Sequence, residues 1–197
     1  KNNIRTPEYF TYEENFSIDN LSLFDKWVIK PNLEGSSNGI SFYSNSEGKD
    51  NFQKKINLAK KYDDSVLIER FIDGKEITVA IINKRCLKPI HIIPEGEFYD
   101  FEAKYVSKKT KYLEYKIDSE KLDTLNNLVI NAYELVDAEN WGRIDIIDDG
   151  EDYFFIELNS VPGMTETSLV PKSSDLSGFS YLELLESIID YALAKKA

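Results

Sequence analysis

The sequence predicts an α+β fold in which antiparallel sheets are interleaved with a few amphipathic helices. Three observations carry this reading. Short runs of β-branched and aromatic residues recur along the chain. Three longer segments place apolar residues at helical spacing. The two kinds of segment mix without the strict alternation that a doubly wound sheet needs.

In order, the strands are Trp27-Val28-Ile29, Val66-Leu67-Ile68, Ile77 to Ile82, Ile90-His91-Ile92-Ile93, Gly142 to Ile147 and Tyr153 to Leu158. The last two flank the acidic turn Asp148-Asp149-Gly150-Glu151-Asp152 and should form an antiparallel hairpin. The first helix runs from Asp50 to Lys61, with Phe52, Ile56 and Ala59 on one face. The second, Ser119 to Val136, carries Leu122, Leu125, Val129, Ala132 and Val136. The third, Ser180 to Ala194, carries Leu182, Leu185, Ile189 and Ala192, and Ser180 with Glu183 fits a capping box. Asp73-Gly74 reads as a turn at which a small lobe, residues 1–73, hands over to a larger one, 74–197. Residues 94–116 are polar, tyrosine-rich and without a clear period, the mark of a functional loop or lid.

A chain of 197 residues, 42% hydrophobic and 13% aromatic, can bury one sizeable core or two small lobes sharing a cleft. No apolar run is long enough to span a bilayer, and Lys1-Asn2-Asn3-Ile4-Arg5 does not lead into a signal-peptide core. Cys86 is the single cysteine, so no internal disulfide can form, which suits a reducing cytoplasm. The net charge of −11, from 24 basic and 35 acidic residues, argues against nucleic acid and anionic membrane as partners. The lysine pairs at 54–55, 60–61 and 108–109 are interleaved with acids and read as solvated faces. Met164 is the only methionine, so the native protein is expected to begin upstream.

Four constellations can carry chemistry. In Lys30-Pro31-Asn32-Leu33-Glu34-Gly35-Ser36-Ser37-Asn38-Gly39 a strand delivers a lysine to a small-residue loop. Backbone N–H groups in such a loop can converge on phosphate oxygens. The same residues equally suit a surface turn, and no Gly-Lys-Ser/Thr makes it a Walker A loop. Arg143 and Asp145 share a strand face, as do Glu157 and Asn159. If the two strands pair, two carboxylates and an amide oxygen form a hard oxygen site suited to Mg²⁺ or Mn²⁺ with nucleotide phosphates. The competing reading is a solvent-facing hairpin, with Ile144, Ile146, Ile156 and Leu158 on the apolar side.

The third block, Asn159-Ser160-Val161-Pro162-Gly163-Met164-Thr165, continues to Ser168-Leu169-Val170-Pro171. Its Gly163 N–H could meet a developing oxyanion, or simply end the strand. The fourth, Glu69-Arg70-Phe71-Ile72-Asp73-Gly74-Lys75-Glu76, sets two acids about a turn, where they can accept from ribose or adenine or stay solvated. His91, the only histidine, sits in an apolar strand and reads as structural. Cys86 has no CxxC partner or activating base.

Together and in this order, these blocks resemble the ATP-grasp superfamily, and within it the D-alanine–D-alanine ligases. The wording that carries the likeness is Ile29-Lys30-Pro31, Glu34-Gly35-Ser36-Ser37 and Phe98-Tyr99-Asp100-Phe101-Glu102-Ala103-Lys104-Tyr105. It continues in Trp141-Gly142-Arg143-Ile144-Asp145, Glu157-Leu158-Asn159, Pro162-Gly163-Met164-Thr165 and Ser168-Leu169-Val170-Pro171.

The resemblance implies an ATP-grasp fold, two α+β lobes gripping ATP between antiparallel sheets, with the family's N-terminal domain absent. It implies that one D-alanine carboxylate takes the γ-phosphoryl group and that the amine of a second attacks the acyl phosphate. Lys30 and Lys104 would contact phosphates, and Glu69 and Glu76 would hold adenine and ribose. Arg70, Phe71, Ile72, Phe98, Ile147 and Ile156 would complete the ATP site. Asp145, Glu157 and Asn159 would hold two Mg²⁺. Arg143 and the Gly163 N–H would stabilise the oxyanion, and Ser168 with Leu169 would receive the second substrate's carboxylate. Tyr105 would close over the site towards Ser36.

The departures are Leu33 where a basic residue is common, the missing acidic group of the N-terminal domain, and a missing lysine expected just upstream of Lys1. The piece by itself is therefore expected to bind Mg-nucleotide and to ligate poorly or not at all. Acceptors such as D-lactate or D-serine, or nucleotide binding without catalysis, are the alternatives. Family members are usually homodimers, a state not asserted for this piece.

Overall fold

A computed structural model describes residues 4–35, 37–94 and 109–195. Packing separates two units, a first built on Pro7–Ile72 and a second built on residues 4–6, Asp73–Ile93 and 111–195.

In the first unit, strands β1 (Tyr9–Thr11), β2 (Lys26–Pro31), β3 (Ser41–Ser44) and β4 (Val66–Arg70) pair antiparallel in the order β1-β4-β2-β3. Alternation along β2 turns Trp27 and Ile29 inward, both fully buried, and leaves Lys30 on the other face. Helix α1 (Lys49–Ala59) covers the inner face with Phe52, Ile56 and Ala59, the three residues its periodicity predicts. The Trp27 indole N–H donates to the carbonyls of Leu21 (3.1 Å) and Phe24 (3.0 Å), so the buried ring leaves no polar atom unpaired. The short strands β1 and β3 have no counterpart in the sequence reading, because three or four residues of mixed polarity give no period to detect.

The second unit contains, among the described residues, β5 (Lys75–Ile82), β6 (Arg85–Cys86), β7 (Ile90–Ile93), β8 (Lys111–Glu114), β9 (Trp141–Asp148) and β10 (Tyr153–Asn159). Their order is β10-β9-β5-β7-β8, with β6 folded back on β5, and every pairing is antiparallel. β5 lies in the middle and is buried on both faces from Ile77 to Ile82, which is why it reads as a continuous apolar run. β8 falls inside the stretch expected to be an irregular loop. Its pairing with β7 supplies the order that its own pattern does not.

One face of this sheet, with Ile77, Val79, Ile81, Ile144, Ile146 and Phe155, packs on Leu125, Val129 and Tyr133 of helix α2 (Ser119–Leu135). Asp118 caps that helix by accepting from the Lys121 N–H at 2.9 Å. Tyr133 takes the place expected for Val136, which lies beyond the helix end and is 60% exposed. On the opposite face, Ala80 and Ile82 pack against Val170 of helix α3 (Leu169–Leu176) and Leu184 of helix α4 (Tyr181–Ala194).

The Ser180–Glu183 capping box of α4 is present, but its packed face is Leu184 with Ile188. Leu182 and Ile189, expected inside, are exposed. This helix carries apolar residues nearly all round, so periodicity alone does not fix the buried side. Full burial of one such side chain contributes about 1.5–3 kcal/mol, and the site offered by Ile82 and Val170 decides it.

The hairpin of β9 and β10 forms as predicted, with one irregularity. Tyr153, Phe154 and Phe155 pair with Asp148, Ile147 and Ile146, whereas Glu157, Leu158 and Asn159 pair with Asp145, Ile144 and Arg143. Ile156 is the extra residue of a β-bulge. It therefore does not join the apolar face, and Phe155 packs there in its place. At the head of β5 the backbone passes so close to β9 that a Cβ on Gly74 would lie 2.4 Å from the Asp148 carbonyl oxygen. Gly74→Ala should destabilise the protein by about 1–3 kcal/mol, because the neighbour is backbone that cannot rotate away. Gly35→Ala, which meets nothing within 4 Å, should leave the thermal midpoint unchanged. Calorimetry or thermal denaturation of the two variants checks the contrast.

Candidate active site

The bulge determines which side chains meet. Cross-strand partners share a face, so Glu157 stands beside Asp145 and Asn159 beside Arg143. Arg143 grips Asp145 through two parallel bonds, Nε to Oδ1 at 2.9 Å and Nη2 to Oδ2 at 2.7 Å. The Asn159 amide donates to Asp145 Oδ2 and to Glu157 Oε1, both at 3.3 Å. Asp145 is 6% exposed, and burial by itself would push its pKa up. The Arg143 charge, with hydrogen bonds from Arg143 and Thr78, outweighs that and holds it below the usual carboxylate range.

Thr78 was not singled out from the sequence. Its Oγ1 donates to Asp145 Oδ1 at 2.6 Å from the neighbouring strand. Only the β5–β9 register reveals it, since nothing in a Thr within an apolar run marks it as functional. One step further along this face, Glu76 pairs with Ile147. Glu76 and Ile147, two of the predicted nucleotide residues, therefore stand on the same side of the sheet as Asp145.

The donor set fits a hard divalent cation. Among the described residues no group of three or more His, Cys, Asp and Glu could hold a metal. Two carboxylates and an amide are, however, what Mg²⁺ uses when substrate phosphates and water complete its shell. The Asn159 amide suits both states: its nitrogen bridges the carboxylates here, and a half-turn would present its oxygen to a cation instead.

Beyond β10, the Ser168 hydroxyl accepts from the Thr165 N–H (3.1 Å) and lies 2.9 Å from Thr165 Oγ1. A Cβ on Gly163 would fall 2.9 Å from Ser168 Oγ, so these two predicted residues lie side by side. Ser168 occupies the N-cap of α3 without capping it, and Leu169 opens the helix, 8% exposed.

In the first unit, Lys30 Nζ and Glu69 Oε2 form an ion pair at 2.5 Å, with side chains 18% and 12% exposed. The N–H groups of Asn32 and Leu33 are committed to Ser65 O (2.9 Å) and Asp63 Oδ2 (2.7 Å), so these two pin the lysine loop down. Phe71 meets Phe42 edge-on, with ring centroids 5.9 Å apart, and Ile72 is buried. Arg70 departs from the expectation. It pairs in register with Trp27, on the face opposite Glu69, and its guanidinium lies over Phe24 (4.4 Å) and reaches Glu8 (3.2 Å). Strand alternation forces this, so its side chain is not part of the Lys30–Glu69 group. Ser36, Phe98, Lys104 and Tyr105 lie outside the described residues.

His91 is structural: it sits in β7 opposite Ile77 and Leu113, edge-on to Tyr115 at 6.2 Å. Burial, with Lys75 nearby, lowers its pKa.

Two α+β units on antiparallel sheets, one presenting a lysine and the other an oxygen-donor hairpin, define the ATP-grasp class of fold. Comparison with known proteins narrows it. Residues 20–190 match the family described as D-ala D-ala ligase C-terminus, and the chain belongs to the D-alanine–D-alanine ligase family. It is 42% identical to the D-alanine–D-alanine ligase of Actinobacillus succinogenes over 168 residues, covering 84% of this chain and 54% of that protein. The crystal structure of the D-alanine–D-alanine ligase from Bacillus anthracis superimposes with a TM-score of 0.84 at 31% identity, covering 98% of this chain and 64% of that one. The same enzyme complexed with ATP gives 0.82 at 28% identity, covering 98% of this chain and 62% of that one. The chain thus spans about half the length of the curated relatives it matches.

Cys86 takes no part in the cluster. Its Sγ lies 3.7 Å from the Asn126 carbonyl, and burial pushes the thiol up to about 12. Only the thiolate reacts, so at pH 8 roughly one thiol in 10⁴ is reactive in the folded protein. Native protein should resist iodoacetamide at that pH, and denatured protein should take up one label per chain. Mass spectrometry reads both.

Proposed function

We propose that this chain is the ATP-binding and catalytic part of a cytoplasmic enzyme that joins two D-alanines, for peptidoglycan precursors. The observation that carries the reading is the convergence of Arg143, Asp145, Glu157 and Asn159 on one hairpin face, in a chain of this family. ATP is the phosphoryl donor. Mg²⁺ or Mn²⁺, two ions in the family's pattern, would be held by Asp145, Glu157 and Asn159 and would neutralise phosphate charge as the γ-phosphoryl group moves.

The first D-alanine's carboxylate oxygen bonds to the γ-phosphorus as the bond to ADP breaks, giving an acyl phosphate. The second D-alanine's amine then attacks the acyl carbon, losing a proton, and inorganic phosphate leaves from the tetrahedral intermediate. The chain's residues position and neutralise rather than form covalent bonds. Lys30 draws phosphate oxygens as its pairing with Glu69 loosens, and Glu69 turns to adenine. By the resemblance, Phe71, Ile72, Ile147 and Ile156 offer apolar contact to the base, and Glu76 accepts from ribose. Arg143 and the Gly163 N–H meet the oxyanion. Ser168 and the Leu169 N–H receive the second substrate's carboxylate, where the helix N-terminus favours negative charge. Lys104, Phe98, Ser36 and Tyr105 keep the roles that the resemblance gives them.

The test is phosphate release by the complete protein with ATP, D-alanine and varied Mg²⁺. Release should require D-alanine, and Glu157→Gln should lower it by roughly 10²–10³-fold, the loss typical of a charge-stabilising group, while raising the Mg²⁺ needed. Phosphate release that ignores D-alanine, or a Glu157→Gln variant with unaltered rate and metal demand, would overturn the assignment.

A further inference from the structure

The two oxygens of Asp145 have unequal surroundings. Oδ2 faces the cluster, 2.7 Å from Arg143 Nη2 and 3.3 Å from the Asn159 amide nitrogen that also reaches Glu157. Oδ1 faces β5, 2.6 Å from Thr78 Oγ1 and 2.9 Å from Arg143 Nε. Thr78 is 1% exposed, in register with Asp145 on one side and Ile90 on the other, and β5 is the middle strand of the sheet. Its hydroxyl has one proton. The shorter approach is to the carboxylate, with Ile144 O at 3.3 Å.

This asymmetry matters once Arg143 is used. A guanidinium that turns towards a developing oxyanion relaxes its fork on Asp145, and an aspartate side chain released in that way can rotate about χ2 and exchange its oxygens. A second donor on a different strand, the middle one of the sheet, prevents the rotation. Resting on the functional reading given above, we propose that Thr78 is a positioning residue: its hydroxyl ties down Asp145 Oδ1, so that Oδ2 alone is presented towards Glu157 and Asn159 to ligate a divalent cation. Thr78 touches neither substrate nor cation. It acts through Asp145, as hydrogen-bond partners of metal ligands do elsewhere.

The test is a titration of Mn²⁺ into the complete protein with a non-hydrolysable ATP analogue, followed by electron paramagnetic resonance, on the wild type, Thr78→Val, Thr78→Ser and Thr78→Ala. Thermal midpoints without metal are recorded alongside. Thr78→Val should weaken Mn²⁺ binding by about 10–100-fold, the range for loss of such a partner, and Thr78→Ser should restore it to within about threefold of wild type. Thr78→Ala should fall with Val. If Val does not fold, the Ser–Ala difference carries the comparison. Equal Mn²⁺ affinity in Ser, Ala and wild type would overturn the proposal, even where the midpoints fall, because that is what a purely structural threonine does. A wild type that binds no Mn²⁺ with nucleotide would instead overturn the functional reading, and this inference with it.

Discussion

The register between β9 and β10 governs the chemistry of the second unit, because side chains alternate across a sheet and one residue of slip exchanges the two faces. Before Ile156, paired residue numbers sum to one value; after it, to a value one greater. Without the extra residue, Glu157 would stand opposite Ile144 and point into the core beside Val79. The bulge instead leaves Phe155 and Leu158 on the apolar side, and sends Glu157 and Asn159 to the side of Asp145 and Arg143. Bulges tend to occur where a side chain must be re-aimed.

A carboxylate as buried as Asp145 is tolerated only because it is paired. Removing one partner of a buried ion pair typically costs about 3–5 kcal/mol, since the other charge stays behind without compensation. The fork from Arg143, the bond from Thr78 and the Asn159 amide give Asp145 partners from three strands, β9 itself, β5 and β10. The same arrangement holds the ionised carboxylate in place. Lys30 and Glu69 show a similar economy in the first unit. Each satisfies the other as a largely buried ion pair.

The match runs through residues 20–190 and includes every described residue of both clusters. It spans about half of the relatives' length.

Legible in the sequence are the α+β class, the six main strands, the three longer helices and the meeting of Arg143, Asp145, Glu157 and Asn159 once the hairpin pairs. Each follows from local pattern: period 2 in β2, period 3.6 in α1, the turn chemistry of Asp148 to Asp152, the capping box at Ser180. Tertiary structure alone decided the rest. The buried side of α4 followed from where Ile82 and Val170 left room, and β8 took its order from β7. The side chain of Arg70 was turned away by the strand pairing that places Glu69. The bulge at Ile156 and the contact of Thr78 with Asp145 depend on which residues stand opposite one another across strands. That is a long-range relation, and no window of sequence contains it.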